Sequence, residues 1–376
     1  MGTPLNSVLI HSIFHKRNTM NPQESELDYA FGDTLPATGK TLEVATGVRW
    51  LRMGLPFALN HINLWLLEDT REAADGSVEH GWTIVDCGIA TDATREAWEA
   101  IFANELRGLP VLRVIVTHCH PDHVGLSAWL CDRWQVPMYM TVGEYGFARM
   151  MAAGLPGADG PSMLPYFQQH GLTDPDMLAQ LQARKNYYPS LVPAVPESFI
   201  RLEENRPLRI GDHAWRIITG TGHSPEHAAL FCERLGVLIS GDMVLPRIST
   251  NTSVFAIEPE SDAVGNFLDS IQKFTSLPPQ TLVLPSHGKP FRGLHQRIAQ
   301  LTAHHADRLA EVRAACVTPQ SAADIVPLMF RRDLDMHQLT FAMGEALAHL
   351  HRLWYEGELR RFRDEHHVWR FVSLLS

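Results

Sequence analysis

The sequence predicts an α/β (α+β) fold followed by a helical C-terminal part. Three observations carry this. From about residue 42, short apolar runs of strand length alternate with helical stretches. Several of those runs end abruptly in His or Asp. After His287 the pattern turns helical for most of the remaining chain. The 376 residues suffice for about two domains, or one large domain with an appendage. With 45% hydrophobic and 20% charged residues, a sizeable core is expected and global disorder is not.

Residues 1–40 are polar and broken by Pro and Gly, an N-terminal tail whose first 20 or so residues read as mobile, with Met20 as an alternative start. VRWLRMGL (48–55), INLWLLED (62–69) and GWTIVDCG (81–88) read as strands, the last two separated by an Asp75-Gly76 turn. A helix is expected over 91–106, capped by Thr91 or Asp92. LPVLRVIV (109–116) is a β-branched strand running into THCHPDH, and a helix follows over 123–134. VPMYMTV (136–142) reads as a strand. Residues 143–200 break the rhythm with helical pieces and an aromatic-rich stretch, the pattern of an insertion or lid. Strands return at 207–220, 236–242 and 280–288, with a helix near 261–274. Beyond it, 294–316 is a long helix candidate. A second helix opens at Thr318-Pro319, and a third over 336–359 carries Leu339, Met343, Leu347, Leu350 and Trp354 at helical spacing. Residues 360–375 suit a small hairpin. Three helices and a hairpin are the order of a winged helix. The expected organisation is therefore a tail (1–40), a catalytic domain (41–293, with the insertion at 143–200), and a helical linker with a winged-helix domain (294–376).

The balance of 32 Lys+Arg against 42 Asp+Glu, a net charge of -10, argues against a nucleic-acid backbone as the main partner. No apolar run approaches the roughly 20 residues of a membrane span. The first residues lack a signal-peptide pattern, and Asn6 breaks the myristoylation motif. Cys87, Cys119, Cys131, Cys232 and Cys316 are odd in number and scattered, which fits a reducing cytoplasm better than a disulfide framework.

The chemistry lies at the strand ends. VIVTHCHPDH delivers His118, His120, Asp122 and His123; RIITGTGH delivers His223; LISGD delivers Asp242; LVLPSH delivers His287; and WTIVD delivers Asp86. Ends of strands in one sheet set share a rim, so these remote residues can converge. Imidazole and carboxylate suit Zn(II) and similar ions, with Mn and Fe accepting the same ligands. Alternate residues of an extended His-x-His segment reach one ion together. Asp122 and His123, where the chain turns into a helix, face a second. Asp242 suits a bridge between them, and Asp86 suits orienting a ligand from behind.

These motifs, WTIVDCG (82–88), THCHPDH (117–123), TGHSPEH (221–227), SGD (240–242) and SHG (286–288), resemble those of the metallo-β-lactamase-fold hydrolases over roughly residues 42–290. The resemblance implies a four-layer αββα sandwich with a dinuclear site along one edge. By motif position, His118, His120 and His223 look like ligands of one metal, and Asp122, His123 and His287 of the other, with Asp242 between. Two divalent ions per chain are implied, Zn by default. The C-terminal part looks like the branch with an added winged helix, similar to glyoxalase II-type thioesterases, some of whose relatives cut single-stranded RNA.

Other residues are more open. His227 reads as lying in the first turn of a helix begun by Ser224-Pro225, supporting or packing near the ligands rather than touching substrate. Cys119 points away from its neighbours and reads as buried. His213, His295, His304 and His305 read as solvated. Tyr187, Tyr188 and Phe199 either line a substrate mouth or pack the insertion. Arg247 and Lys289 either meet a substrate anion or form salt bridges. From Thr318 onward, 7 Arg and no Lys face 8 Asp+Glu, a balance of -1. DNA is therefore not expected as a partner, and the module is expected to pack over the active-site edge or form a homodimer contact.

The leading expectation is a dinuclear metal-dependent hydrolase in which metal-bound hydroxide attacks an ester or thioester carbonyl (acyl-CoA, glutathione or related), with Asp122 accepting or holding the proton. The alternative is a single-strand endoribonuclease using the same two metals. A one-iron persulfide dioxygenase, a lactonase or a β-lactamase ranks behind.

Overall fold

The computed structural model describes residues 23–57, 59–73, 75–157 and 159–374. The mobile tail expected for the first 20 or so residues, and Met20 with it, lies outside them. A seven-stranded sheet runs in chain order through β1 (Leu42–Ala45), β2 (Val48–Gly54), β3 (His61–Glu72), β4 (Val78–Val85), β5 (Val111–Ile115), β6 (Met138–Met140) and β7 (Ile200–Arg201). Its first four strands are antiparallel and β4 through β7 pair in parallel. A five-stranded sheet holds β8 (Leu208–Ile210), β9 (His213–Gly220), β10 (His227–Cys232), β11 (Val237–Gly241) and β12 (Leu282–Pro285) in the order β12-β11-β10-β9-β8. All its pairs are antiparallel except β11/β12.

The sheets face each other across Trp50, Trp65, Val85, Ile115, Trp215, Ile217, Leu230 and Ile239. The outer face of the first sheet (Ile62, Leu64, Leu66, Ile84) is covered by α1 (Asp92–Asn104) and α3 (Ser127–Trp134) through Trp98, Ile101 and Leu130. The outer face of the second (Ala229, Phe231, Leu238) is covered by α8 (Ala263–Gln272) and α9 (Leu294–Ala315). The result is the four-layer αββα sandwich. It explains why Leu64, Trp65, Leu66 and Leu67 follow one another without alternation: β3 is buried on both faces.

Thr91 caps α1, accepting from the Thr94 N–H at 3.3 Å. The single helix expected over 123–134 is instead two, α2 (Pro121–Val124) and α3. Leu126 N–H donates to Gly88 O at 3.1 Å, drawing the chain against the loop after β4. Gly125 permits the approach, since a Cβ there would lie 2.7 Å from Gly88 O. β10 was not expected. The Ser224-Pro225 pair that reads as a helix start forms a bend before it, and its six residues are all buried, leaving no alternation to read. β1 and the two-residue β7 also lack a sequence signal.

Between β6 and β7 the chain forms α4 (Val142–Ala152), α5 (Gly160–Gln169), α6 (Pro175–Ala183) and α7 (Tyr188–Leu191). The C-terminal part has α9, α10 (Ala322–Met329), α11 (Met336–Tyr355) and a hairpin of β13 (Leu359–Arg363) and β14 (Trp369–Ser373). The cap of α10 is Ser321, in a reciprocal box with Asp324, rather than Thr318. α5 and α6 share an apolar core with the C-terminal helices, through Met163, Phe167 and Leu181 against Val312, Ile325 and Met343. His305, expected in solvent, is fully buried against His349 of α11 with ring centroids 5.4 Å apart. Among the described residues, no helix is long and apolar enough to cross a membrane.

Candidate metal centre

The ends of β4, β5, β11 and β12, with the turn between β9 and β10, meet along one edge of the sandwich. His118, His120, His223 and Asp242 form one cluster and Asp122, His123 and His287 another, each with its ligand atoms within 4.8 Å of one another. In the first, His118 Nε2 lies 2.9 Å from His120 Nδ1 and 3.3 Å from His223 Nε2. His223 Nε2 lies 3.5 Å from Asp242 Oδ2. In the second, His287 Nε2 is 3.5 Å from Asp122 Oδ2, and His123 Nε2 is 3.8 Å from the same oxygen. The other oxygen of Asp242, Oδ1, lies 3.6 Å from His123 Nε2 and 3.5 Å from His287 Nε2. Asp242 thus turns one oxygen to each cluster.

The imidazoles are aimed from behind. His123 Nδ1–H donates to Asp86 Oδ2 at 2.8 Å, His223 Nδ1–H to Asn251 O at 2.8 Å, and His287 Nδ1–H to His61 O at 2.8 Å. Each bond leaves the Nε2 lone pair facing the cluster. Thr117 Oγ1 donates to Asp86 and accepts from His118 Nδ1–H at 3.1 Å. Asp86 has φ 63° and is fully buried, and its Oδ1 accepts from Thr117 N–H at 2.8 Å.

Burial is the largest influence on His118, His120, His123 and His287 and favours the neutral form of each. For His118 and His120 the neighbouring imidazoles add to it, holding both well below the usual histidine range. For His123 burial is outweighed by Asp86, Asp122 and Asp242, which carry it up to about 10. His287 also rises against burial, through Asp242 and then Asp122. Asp242 is driven well below the carboxylate range, burial being overcome by His287 and His123. The second cluster therefore calls for positive charge.

These residues fit two divalent ions. His123 Nε2 and Asp242 Oδ1 are buried with no hydrogen-bond partner, an arrangement that costs about 1–3 kcal/mol per atom unless something else satisfies it. A tetrahedral site with bonds of about 2.0–2.1 Å has edges of about 3.3 Å. The spacings above cluster around that value.

His227 opens β10 rather than a helix. Its ring centroid is 4.8 Å from that of His118, and its Nε2 accepts from Asp242 N–H at 3.1 Å. It thereby fixes the backbone of the shared aspartate. Glu144, which no sequence motif marks, is a fully buried carboxylate that ties two ligand segments together. It accepts from Cys119 N–H at 2.8 Å, Ser224 Oγ–H at 2.6 Å and Glu226 N–H at 2.7 Å. The last two bonds hold Ser224 and Glu226 in a bend that leads into β10. His61 likewise lacked a signal; its Nε2 accepts from Gly288 N–H at 2.8 Å.

A cavity of about 420 Å³ opens over the clusters, with His120, Asp122, His223, Asp242 and His287 at its floor. Its walls are largely apolar: Phe147 and Met151 of α4, Met163 of α5, Phe255 and Ile257 after β11, and Phe341 of α11. Tyr187 and Tyr188 both line it, and the Tyr188 hydroxyl donates to Cys119 O at 2.5 Å. Cys119 is buried and contributes to the same wall. Arg247 lies 3.6 Å from Glu24 and Lys289 2.7 Å from Asp33, and neither is among the lining residues. Phe199 stacks on Tyr145 with centroids 4.0 Å apart, also outside the lining.

The family model of the Metallo-beta-lactamase superfamily matches residues 76–287, and that of the metallo-beta-lactamase-like C-terminal domain matches residues 309–374. A crystal structure of a beta-lactamase domain protein from Burkholderia ambifaria is 57% identical, with a TM-score of 0.86, covering 94% of this chain and all of that one. A metallo-beta-lactamase family protein from Thermus thermophilus is 27% identical, with a TM-score of 0.69, over 88% of this chain and all of the other. A curated relative named "Probable metallo-hydrolase YqjP" from Bacillus subtilis is 22% identical over 85% of this chain and 96% of its own length.

Proposed function

The chain belongs to the metallo-β-lactamase superfamily, and from that premise we propose that this metal-dependent hydrolase cleaves acyl esters or thioesters over the two clusters joined by Asp242. His118, His120, His223 and Asp242 would hold one ion, and Asp122, His123, His287 and Asp242 the other. Two such ions, when bound, lower the pKa of water and polarise a carbonyl oxygen. The chain's own residues do the rest. Asp86, Asn251 and His61 hold three imidazoles in the tautomer that ligates. Asp122, on the cavity floor, is placed to take or hold a proton at its carboxylate. The apolar walls exclude water from the acyl portion.

The observation that carries this reading is the apolar chamber directly above the ligand set. A hydrocarbon acyl group gains about 25 cal/mol for each Å² it buries there. A polynucleotide would require a basic groove, whereas Arg184 is the one Lys or Arg in the described lining. The finer reading is a glyoxalase II-type thioesterase, with Zn as the metal and a winged-helix C-terminal module. The ligand chemistry supports the metal, and the order of three helices and a hairpin supports the module. All five cysteines are free, which supports a reducing compartment.

The test is turnover by Zn-loaded protein of a panel of acyl thioesters and esters beside single-stranded RNA. Hydrolysis of at least one acyl class, with RNA left intact, is the expected result. RNA cleavage without ester or thioester turnover overturns the proposal.

A further inference from the structure

Arg184 sits in the cavity wall with no carboxylate in direct contact; Asp335 acts on it only from beyond ion-pair distance. Arg184 closes the C-terminal end of α6, its N–H donating to Leu181 O and its carbonyl accepting from Gly160 N–H at 2.9 Å. That backbone position is locked: a Cβ on Gly160 would lie 1.7 Å from Leu181 O, so α5 and α6 meet there only through glycine. The guanidinium reaches across to α11. Nη1–H donates to Thr340 Oγ1 at 2.7 Å, Nη2 lies 3.2 Å from His337 Nδ1, and the group stands 5.3 Å from the ring centroid of Tyr187. Burial, then the charge of Arg184 itself, holds His337 below the ordinary histidine pKa, so it offers a neutral nitrogen.

Every acceptor touching Arg184 is neutral. Among the described residues, no carboxylate comes within 4.0 Å of it, whereas Arg352 and Arg361, the partly buried arginines of α11 and the hairpin, each have one. A guanidinium has five N–H donors in a planar fork suited to a two-oxygen anion, and only two contacts are filled here. Leaving a half-buried cation unpaired beside Phe341 and Met163 is unfavourable, and a ligand anion would relieve that cost.

We propose that Arg184, braced by Thr340, is an anion subsite, so the substrate is amphiphilic: an ester or thioester at the metal floor, an apolar segment along the wall, and a carboxylate or phosphate held at Arg184. This rests on the hydrolase reading above for its reactive end. The anion has two chemical sources, the far end of a dicarboxylic acyl group or a phosphorylated leaving group.

Binding and turnover test it separately. Calorimetry on the metal-loaded protein compares adipate, suberate and sebacate with hexanoate, octanoate and decanoate. At least one dicarboxylate should bind about 10- to 100-fold tighter than its monocarboxylate partner, and R184Q should erase that gap. R184K should keep part of it, since charge remains without the fork, and T340V should narrow it by loosening the side chain. In turnover, anionic thioesters should lose at least tenfold more kcat/KM in R184Q than matched neutral ones, chiefly through KM. Whether the suberyl thioester or the phosphopantetheine thioester suffers that loss identifies the source. Equal binding of mono- and dicarboxylates by wild type, or a gap that survives in folded R184Q and T340V, overturns the subsite. A gap erased by R184Q in a protein that turns over no ester or thioester leaves the subsite standing and removes the hydrolase reading.

Discussion

Asp86 Oδ2 accepts the Nδ1 proton of His123 at 2.8 Å, and neither side chain has any exposed surface. The same carboxylate accepts from the backbone N–H and the hydroxyl of Thr117, one residue before the His-x-His segment. One acid therefore sets the tautomer of a ligand in the second cluster and the backbone position of two ligands in the first.

Asp86→Asn tests that relationship. Asn tolerates the left-handed φ of 63° better than most residues, so the chain should fold. The amide can still accept from Thr117 but presents N–H to His123, pushing the ring proton to Nε2. Affinity for one of the two ions should fall about 10- to 100-fold, read by chelator competition with metal analysis. Two ions held as tightly as in wild type would refute it.

Asp242 and His287 should differ in what their loss removes. His287 serves only the second cluster, while Asp242 turns an oxygen to each. His287→Ala should bring bound metal from about two ions to one, and Asp242→Ala should bring it below one. Equal stoichiometry in the two variants would contradict the sharing of Asp242.

The pair His305 and His349 predicts acid sensitivity away from the metal edge. His349 Nδ1–H donates to Glu345 O at 2.8 Å, so its Nε2 accepts from His305 Nδ1–H at 3.3 Å. Both rings are neutral, burial holding His305 at about 3 and His349 at about 4 against an ordinary 6.5. Below pH 6.5 the unfolded chain binds protons that the folded one refuses. Stability from these rings is full above pH 6.5 and is lost as pH falls toward 4. His305→Phe should remove about one proton from the slope of stability against pH between 5 and 6.5, worth up to about 2 kcal/mol. An unchanged slope in denaturant titrations counts against the assignment.

Tyr188 directs its hydroxyl to Cys119 O, between His118 and His120. Tyr188→Phe leaves that carbonyl without this donor and should cost about 1–3 kcal/mol of stability in thermal melts. Loss of substrate affinity with no loss of stability would instead assign the hydroxyl to substrate.

Much of the sandwich was legible because its strands are covered on both faces and therefore read as apolar runs without alternation, as at 64–67 and 237–239. The seven residues of the two clusters were legible because each follows such a run closely. What escaped depends on contacts remote in sequence. The bend at Ser224 is set by Glu144, 80 residues earlier. The helix breaks at Leu126, whose N–H is drawn to Gly88 O, 38 residues earlier, past a glycine that leaves room for it. His305 is next to His304 in a polar-looking stretch, yet only the docking of α11 decides which of the two is enclosed. Arg184 gains its meaning from Thr340, 156 residues further on.

The cavity wall is drawn from three sources: strand-end loops, the α4–α7 segment, and α11. Floor and roof thus answer to separate stretches of gene. Changes in α6 or α11 can retune which molecules are admitted while the bond-breaking apparatus stays as it was.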